Sequence, residues 1–167
     1  MTNINSTILR TVLFEPRIPQ NTGNIARTSA AFAIELNLIR PLGFNVDDKH
    51  LRRAGLDYWK YVNINIYNNF EEFCSTLSTN NRLIALSKSG DVSISDIRFR
   101  ITDILIFGRE DTGLPHSVRS KCEFIASIPM EGGSSSQNGE GVRSLNLAVS
   151  YGIATYTCLQ SCRQSSV

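Results

Sequence analysis

Short apolar runs, several of them β-branched, recur along this chain with helix-type segments between them, and that alternation limits the folds open to it. Residues 8–14, 36–39, 62–67, 82–86, 103–107 and 124–128 read as strands. The first is apolar at most consecutive positions, as a strand covered on both faces is. Pro19 to Asn24 reads as a turn, followed by an alanine-rich helix to about Ala33. Residues 47–54 predict a short helix with Asp47 or Asp48 as its cap and Gly55 as its stop. Asn69 with Glu72 three residues on has the form of a capping box and opens a helix over 70–77. Pro115 sits near the first position of a short helix over 115–121. The chain around Gly90 reads as a polar linker. Strands alternating with helices predict an α/β fold on a mainly parallel sheet with helices on both faces. Ligands bind such sheets beyond the carboxyl ends of the strands.

A chain of 167 residues suits one domain with one sizeable core, and neither an internal repeat nor an interdomain linker divides it. With 41% hydrophobic and 19% charged residues, its composition is globular. The start Met1-Thr2-Asn3-Ile4-Asn5-Ser6 has no apolar stretch after a basic one, and no run nears the ~18 apolar residues of a membrane span. A cytoplasmic protein is expected. The four cysteines, Cys74, Cys122, Cys158 and Cys162, form no Cys-x-x-Cys pair, and His50 and His116 stand far from the closest of them, Cys158 and Cys162. Reduced structural thiols and no metal are expected. A net charge of +2 does not announce a nucleic-acid partner. Its distribution says more. Lys49, Arg52, Arg53 and Lys60 are interleaved with Tyr58, Trp59 and Tyr61, a pattern suited to a phosphate backbone with unstacked bases. A solvated helix face beside a partly buried aromatic is the plainer reading of the same residues.

Three loops carry unusual chemistry. After the first strand comes Asn21-Thr22-Gly23-Asn24-Ile25-Ala26-Arg27, where Asn24 and Arg27 share a helix face and the arginine can clamp a phosphate. After the strand ending at Phe107 comes Gly108-Arg109-Glu110-Asp111-Thr112-Gly113-Leu114-Pro115, in which glycine permits close backbone approach to a ligand. Its charges must face a ligand, each other or water. The third begins at Ile128-Pro129-Met130, passes a glycine–serine stretch over 131–141 and opens a helix at Val142-Arg143-Ser144-Leu145-Asn146-Leu147. Ser144 there has the form of an N-cap. The stretch between is too poor in apolar groups to order itself and reads as a mobile loop. Leu145, Val149, Ile153, Tyr156 and Leu159 then recur at helical spacing, an apolar stripe suited to a core or to a partner subunit.

In this order the three pieces resemble the SPOUT class of RNA methyltransferases, over most of the chain. Within that class the chain is similar to the small TrmL-like enzymes that methylate the 2'-hydroxyl of the wobble nucleotide of tRNA, cytidine or uridine 34. The resemblance rests on Glu15-Pro16 with 21–27, Leu51-Arg52-Arg53-Ala54-Gly55-Leu56-Asp57-Tyr58, Phe107 to Glu110, Gly113-Leu114-Pro115, Ile128-Pro129-Met130 and Arg143 to Leu147. The segment after Met130 is longer and richer in glycine and serine than that subfamily leads one to expect. Methylation of another tRNA or rRNA nucleotide stays open on that account.

The resemblance implies a trefoil knot in the C-terminal segment, which general topology rules would argue against. It implies S-adenosylmethionine as cofactor, held by Leu86, Gly108, Ile128, Met130, Ser144 and Leu145. It further implies a homodimer packed partly through the last helix, and tRNA bound at its anticodon region through Asn24, Arg52, Arg53 and Arg143. Catalysis falls to Arg27, Glu110 and Asn146. A guanidinium is almost never deprotonated in a protein, so Arg27 is read as orienting the ribose and stabilising developing negative charge. Glu110 is the candidate proton acceptor or partner of Arg27. Two rivals remain at this stage. Gly139-Glu140-Gly141 begins like a dinucleotide fingerprint, but Ser144 stands where its third glycine belongs and no strand immediately precedes it. An RNA-binding relative without catalysis is the other.

Overall fold

The computed structural model describes residues 9–45, 58, 61–132 and 141–165. The helix expected over 47–54, residue 8 of the first strand, the glycine–serine stretch over 133–140, and Arg52 and Arg53 lie outside them. Among the described residues, seven strands form one sheet: β1 (Arg10–Phe14), β2 (Glu35–Ile39), β3 (Asn63–Tyr67), β4 (Leu83–Leu86), β5 (Val92–Ser93), β6 (Ile104–Phe107) and β7 (Phe124–Ser127). Their order is β3-β2-β1-β6-β4-β7-β5, and every pairing is parallel. The expected α/β architecture is therefore present, with β6 at the centre and the first strand beside it. β5 was not anticipated. It is two residues long, too short for periodicity to reveal, and it runs into a 3-10 turn (Ile94–Asp96) where a linker was expected.

Alternate residues of the central strands feed two cores. Leu13, Leu36, Leu38, Ile84, Leu105 and Phe107 pack with Ile25 and Ala26 of α1 (Pro19–Phe32) and with the last helix. Val12, Ile39, Leu83, Ile104 and Ile106 pack on the other face with Phe70 and Phe73 of α2 (Phe70–Cys74) and Val118 of α3 (His116–Arg119). Helices thus cover both faces, which is why these strands are apolar almost throughout.

Several boundaries differ from expectation for local reasons. Residues 19–24 are the first turns of α1, not a turn before it: Pro19 occupies the helix start, where its missing N–H is no loss. The helix stops at Ala33, held left-handed at φ 53°. α2 ends at Cys74, short of Leu77; the hydroxyls of Ser75 and Thr76 donate to the carbonyls of Glu72 and Phe73, competing for acceptors a longer helix would use. Its cap is as expected, with Asn69 Oδ1 accepting from the Glu72 N–H at 2.8 Å. Pro115 is the N-cap of α3, not its first helical residue.

The last helix, α4 (Leu147–Gln164), leaves most of the apolar stripe outside the core, as the partner-subunit alternative would have it. Val149, Ile153 and Tyr156 are exposed, while Tyr151, Ala154, Thr155 and Cys158 are buried, with Leu159 packed at the edge of the core. Hydroxyl groups can face inward here because each finds a partner. Tyr151 OH lies 2.9 Å from Thr11 Oγ1 and 2.7 Å from Ser29 Oγ, and Thr155 Oγ1 donates to the Tyr151 carbonyl at 2.7 Å. All four cysteines are free thiols.

Candidate active site

At the carboxyl ends of β4, β6 and β7, the loops that follow meet the starts of α1 and α4 around a cavity of about 600 Å³. That is a normal size for a small-molecule site. Leu86, Gly108, Ile128, Met130, Ser144 and Leu145, expected together from the sequence, all line it. So do Ser87, Lys88 and Arg119, which the sequence reading passed over. Lys88 lies two residues beyond the end of β4, and the rule applied to the other loops would have found it.

The turn after β6 is closed on itself. Arg109 and Gly113 exchange backbone hydrogen bonds at 3.2 and 3.0 Å, with Gly113 at φ 71°. A Cβ on Gly108 would lie 2.4 Å from the Gly113 carbonyl carbon and 2.6 Å from the Leu114 nitrogen. Glycine is required there by the chain's own turn, before any ligand is considered. The charges of this loop face each other. Arg109 grips Asp111 through both Nε and Nη2, at 2.8 and 2.7 Å, and reaches Glu15 Oε2 at 3.2 Å. These bonds hold the Asp111 carboxyl well below the usual carboxylate range and lift the Arg109 guanidinium further above its own.

Glu110 is bonded to the start of α1 rather than to Arg27. Its carboxylate accepts from the N–H groups of Arg17 (2.8 Å) and Ile18 (3.1 Å) and from Asn21 Nδ2 (3.2 Å). It ties down the start of α1, where a negative charge is also favoured by the helix dipole; it lines the cavity and makes no hydrogen bond to Arg27. Asn146, not Ser144, caps α4: its Oδ1 accepts from the Ala148 N–H at 2.8 Å. Asn146 Nδ2 donates to Asn21 Oδ1 at 3.0 Å. Glu110, Asn21 and Asn146 therefore form one connected chain from the β6 loop through α1 to α4. Ser144 is left exposed on the cavity rim.

Arg27 and Asn24 share the exposed side of α1, outside the residues lining the cavity. The Arg27 guanidinium carbon stands 4.6 Å from the centroid of the Tyr58 ring. Arg143 is exposed just before the start of α4. Among the described residues, no group of His, Cys, Asp and Glu is disposed to hold a metal ion, and no helix is long and apolar enough to cross a membrane.

A fully parallel sheet with a cavity built from backbone-rich loops at its carboxyl edge defines an α/β enzyme of the kind that takes a nucleotide-like ligand there. The chain belongs to the SpoU rRNA methylase family, whose model matches residues 8–156. A relative from Methylovorus glucosotrophus, a tRNA (cytidine(34)-2'-O)-methyltransferase, is 40% identical over 147 residues, covering 87% of this chain and 90% of that one. One of the same name from Yersinia pestis is 40% identical over 137 residues, covering 78% and 85%. A structure solved to explain the 2-OH methylation of C/U34 on tRNA superposes with a TM-score of 0.86 at 43% identity, over 94% of this chain and 97% of that one. The SpoU methyltransferase AviRb from Streptomyces viridochromogenes, solved with AdoMet, shares the fold at a TM-score of 0.76 and 24% identity, over 98% of this chain and 62% of that one.

Proposed function

We infer that this protein transfers a methyl group from S-adenosylmethionine to the ribose 2'-hydroxyl of the wobble nucleotide, position 34, of tRNA in the cytoplasm. The observation that carries the reading is the convergence of Leu86, Gly108, Ile128, Met130, Ser144 and Leu145 on one cavity, in a chain about 40% identical to wobble-nucleotide methyltransferases over nearly all their length. The cavity fits the cofactor. Leu86, Ile128 and Leu145 offer apolar walls for an adenine ring, the glycine turn exposes backbone, and Ser144 is free to bond a polar edge.

When bound, the cofactor supplies an electrophilic methyl group on a sulfonium. The chain's own task is alignment of the ribose oxygen and stabilisation of the charge that develops on it. Arg27 is suited to both, because a guanidinium offers several donors and keeps its charge. Asn24 and Arg143, with Arg52 and Arg53, would hold the flanking RNA backbone. Glu110 and Asn146 act by holding α1 and α4 in register with the cavity, rather than by proton transfer.

The reading extends to assembly. A single domain over 1–167, its C-terminal segment threaded as a trefoil knot, would pair with a second copy. Val149, Ile153 and Tyr156 on α4, with the Phe32 ring tilted against Tyr156 at a centroid distance of 6.4 Å, give that partner an exposed apolar surface. Ribose methylation mapped across total tRNA, after gene deletion and complementation, tests the whole reading. Loss of the mark at nucleotide 34 and its return on complementation are expected. Loss at another nucleotide overturns the position, and no loss with no calorimetric binding of S-adenosylmethionine overturns the chemistry.

A further inference from the structure

Arginines stacked on rings recur in this protein, and one differs from the rest. Arg10 lies over Phe73 and Arg82 over Phe124, but Arg10 also donates to Glu35 and Arg82 to Asp103. Arg109 spends its donors on Asp111 and Glu15. Arg27 lies over Tyr58, and its guanidinium gives no hydrogen bond to any described residue. A guanidinium held by its face keeps its charge and leaves its N–H edge pointing outward in the plane. Held by a carboxylate, it loses that edge.

We propose that Tyr58 is the positioning residue of Arg27: its ring fixes the guanidinium and turns the N–H edge toward the target ribose and the phosphate beside it. The inference rests on Arg27 being the ribose-orienting group. The base of Arg27 is already fixed, since Ile25 and Ala26 are fully buried and Glu110 ties down the helix start. Its tip is not, because an exposed arginine has large rotamer freedom. The Tyr58 ring removes that freedom before RNA arrives, which lowers the ordering cost of the reacting complex.

The test is single-turnover methylation of tRNA from cells lacking the gene, with S-adenosylmethionine saturating. Tyr58→Leu is expected to slow the step about threefold to tenfold, the range for losing one cation–π contact. Tyr58→Phe, which keeps the ring, stays within about twofold on the same ground. Calorimetric affinity for S-adenosylmethionine is unchanged in both, so a slower step is not a misfolded cavity. In an Arg27→Ala background, Tyr58→Leu adds nothing. The proposal is overturned if Tyr58→Leu reacts at the wild-type rate, or if it slows Arg27→Ala by the same factor, which would make Tyr58 a base-stacking residue in its own right. Wild-type protein that methylates no tRNA sinks the functional reading and this proposal together, whereas the variant outcomes leave that reading standing.

Discussion

The side-chain amides of Asn21 and Asn146, 125 residues apart in sequence, meet at 3.0 Å and join the start of α1 to the start of α4 at the edge of the cavity. Asn146 Oδ1 caps its own helix, so only its amide nitrogen serves Asn21. Asn146→Asp keeps the cap but sets a carboxylate oxygen against Asn21 Oδ1. We expect its calorimetric affinity for S-adenosylmethionine to fall about tenfold, or ~1.4 kcal/mol, with the thermal midpoint nearly kept. An unchanged affinity would mean the bridge does not shape the cavity.

Glu110 accepts three hydrogen bonds at the helix start, two of them from backbone N–H groups. Glu110→Gln retains one acceptor oxygen and loses the charge. It should cost about 1–2 kcal/mol in urea unfolding, the range for a charged acceptor at a helix N-terminus. The pH–rate profile of single-turnover methylation should keep its shape. Disappearance of the acidic limb in this variant would restore Glu110 as the proton acceptor.

Asp103 is fully buried at the opposite end of the sheet, gripped by Arg82 at 2.8 and 2.7 Å and by the Arg100 N–H at 2.8 Å. Removing one partner of such a pair strands a buried charge. Arg82→Ala should therefore destabilise by about 3–5 kcal/mol in urea, while the fraction that remains folded binds S-adenosylmethionine as the wild type does. A loss under ~1 kcal/mol would place the pair with ordinary surface ion pairs.

Burial pushes the Tyr151 hydroxyl up to about 12, against the opposing hydrogen bonds to Ser29 and Thr11. A raised folded-state value means the contribution to stability is complete below the unfolded value, near 10, and is lost as pH rises through the folded one. The protein should lose stability between about pH 10 and 12 from this group. Tyr151→Phe should flatten that part of the stability–pH curve. At neutral pH it should cost only ~1 kcal/mol, because Thr11 and Ser29 keep backbone acceptors at Glu35 and Ile25. A variant with the same alkaline loss as wild type would assign it elsewhere, Cys122 being the alternative at about 11.

Much of the fold was legible in the order of residues alone. Strands such as Ile104–Phe107 announced themselves because both of their faces are covered, which demands apolar residues at consecutive positions. The cavity residues came from the resemblance, and topology explains why most of them meet: in a parallel sheet the segments after strands gather on one edge. Arg27, Glu110 and Asn146 were located by motif, but motif could not say what they touch. Glu110 was read as a proton acceptor or a partner of Arg27, and its carboxylate bonds Arg17, Ile18 and Asn21.

What the chain determined by itself is therefore local: where strands and helices form, and which loops hold glycine, charge and amide groups. Those features depend on neighbours a few residues away, through backbone preference and burial period. Tertiary structure alone decided that Asn146 rather than Ser144 caps α4, that the hydroxyl-bearing face of this helix goes inside, and that Val149, Ile153 and Tyr156 stay out. Each of those outcomes turns on a partner remote in sequence, such as Asn21 for Asn146 or Thr11 and Ser29 for Tyr151. A polar group can be buried only where folding brings it a hydrogen-bonding partner, and helical period shows a face without showing what will cover it.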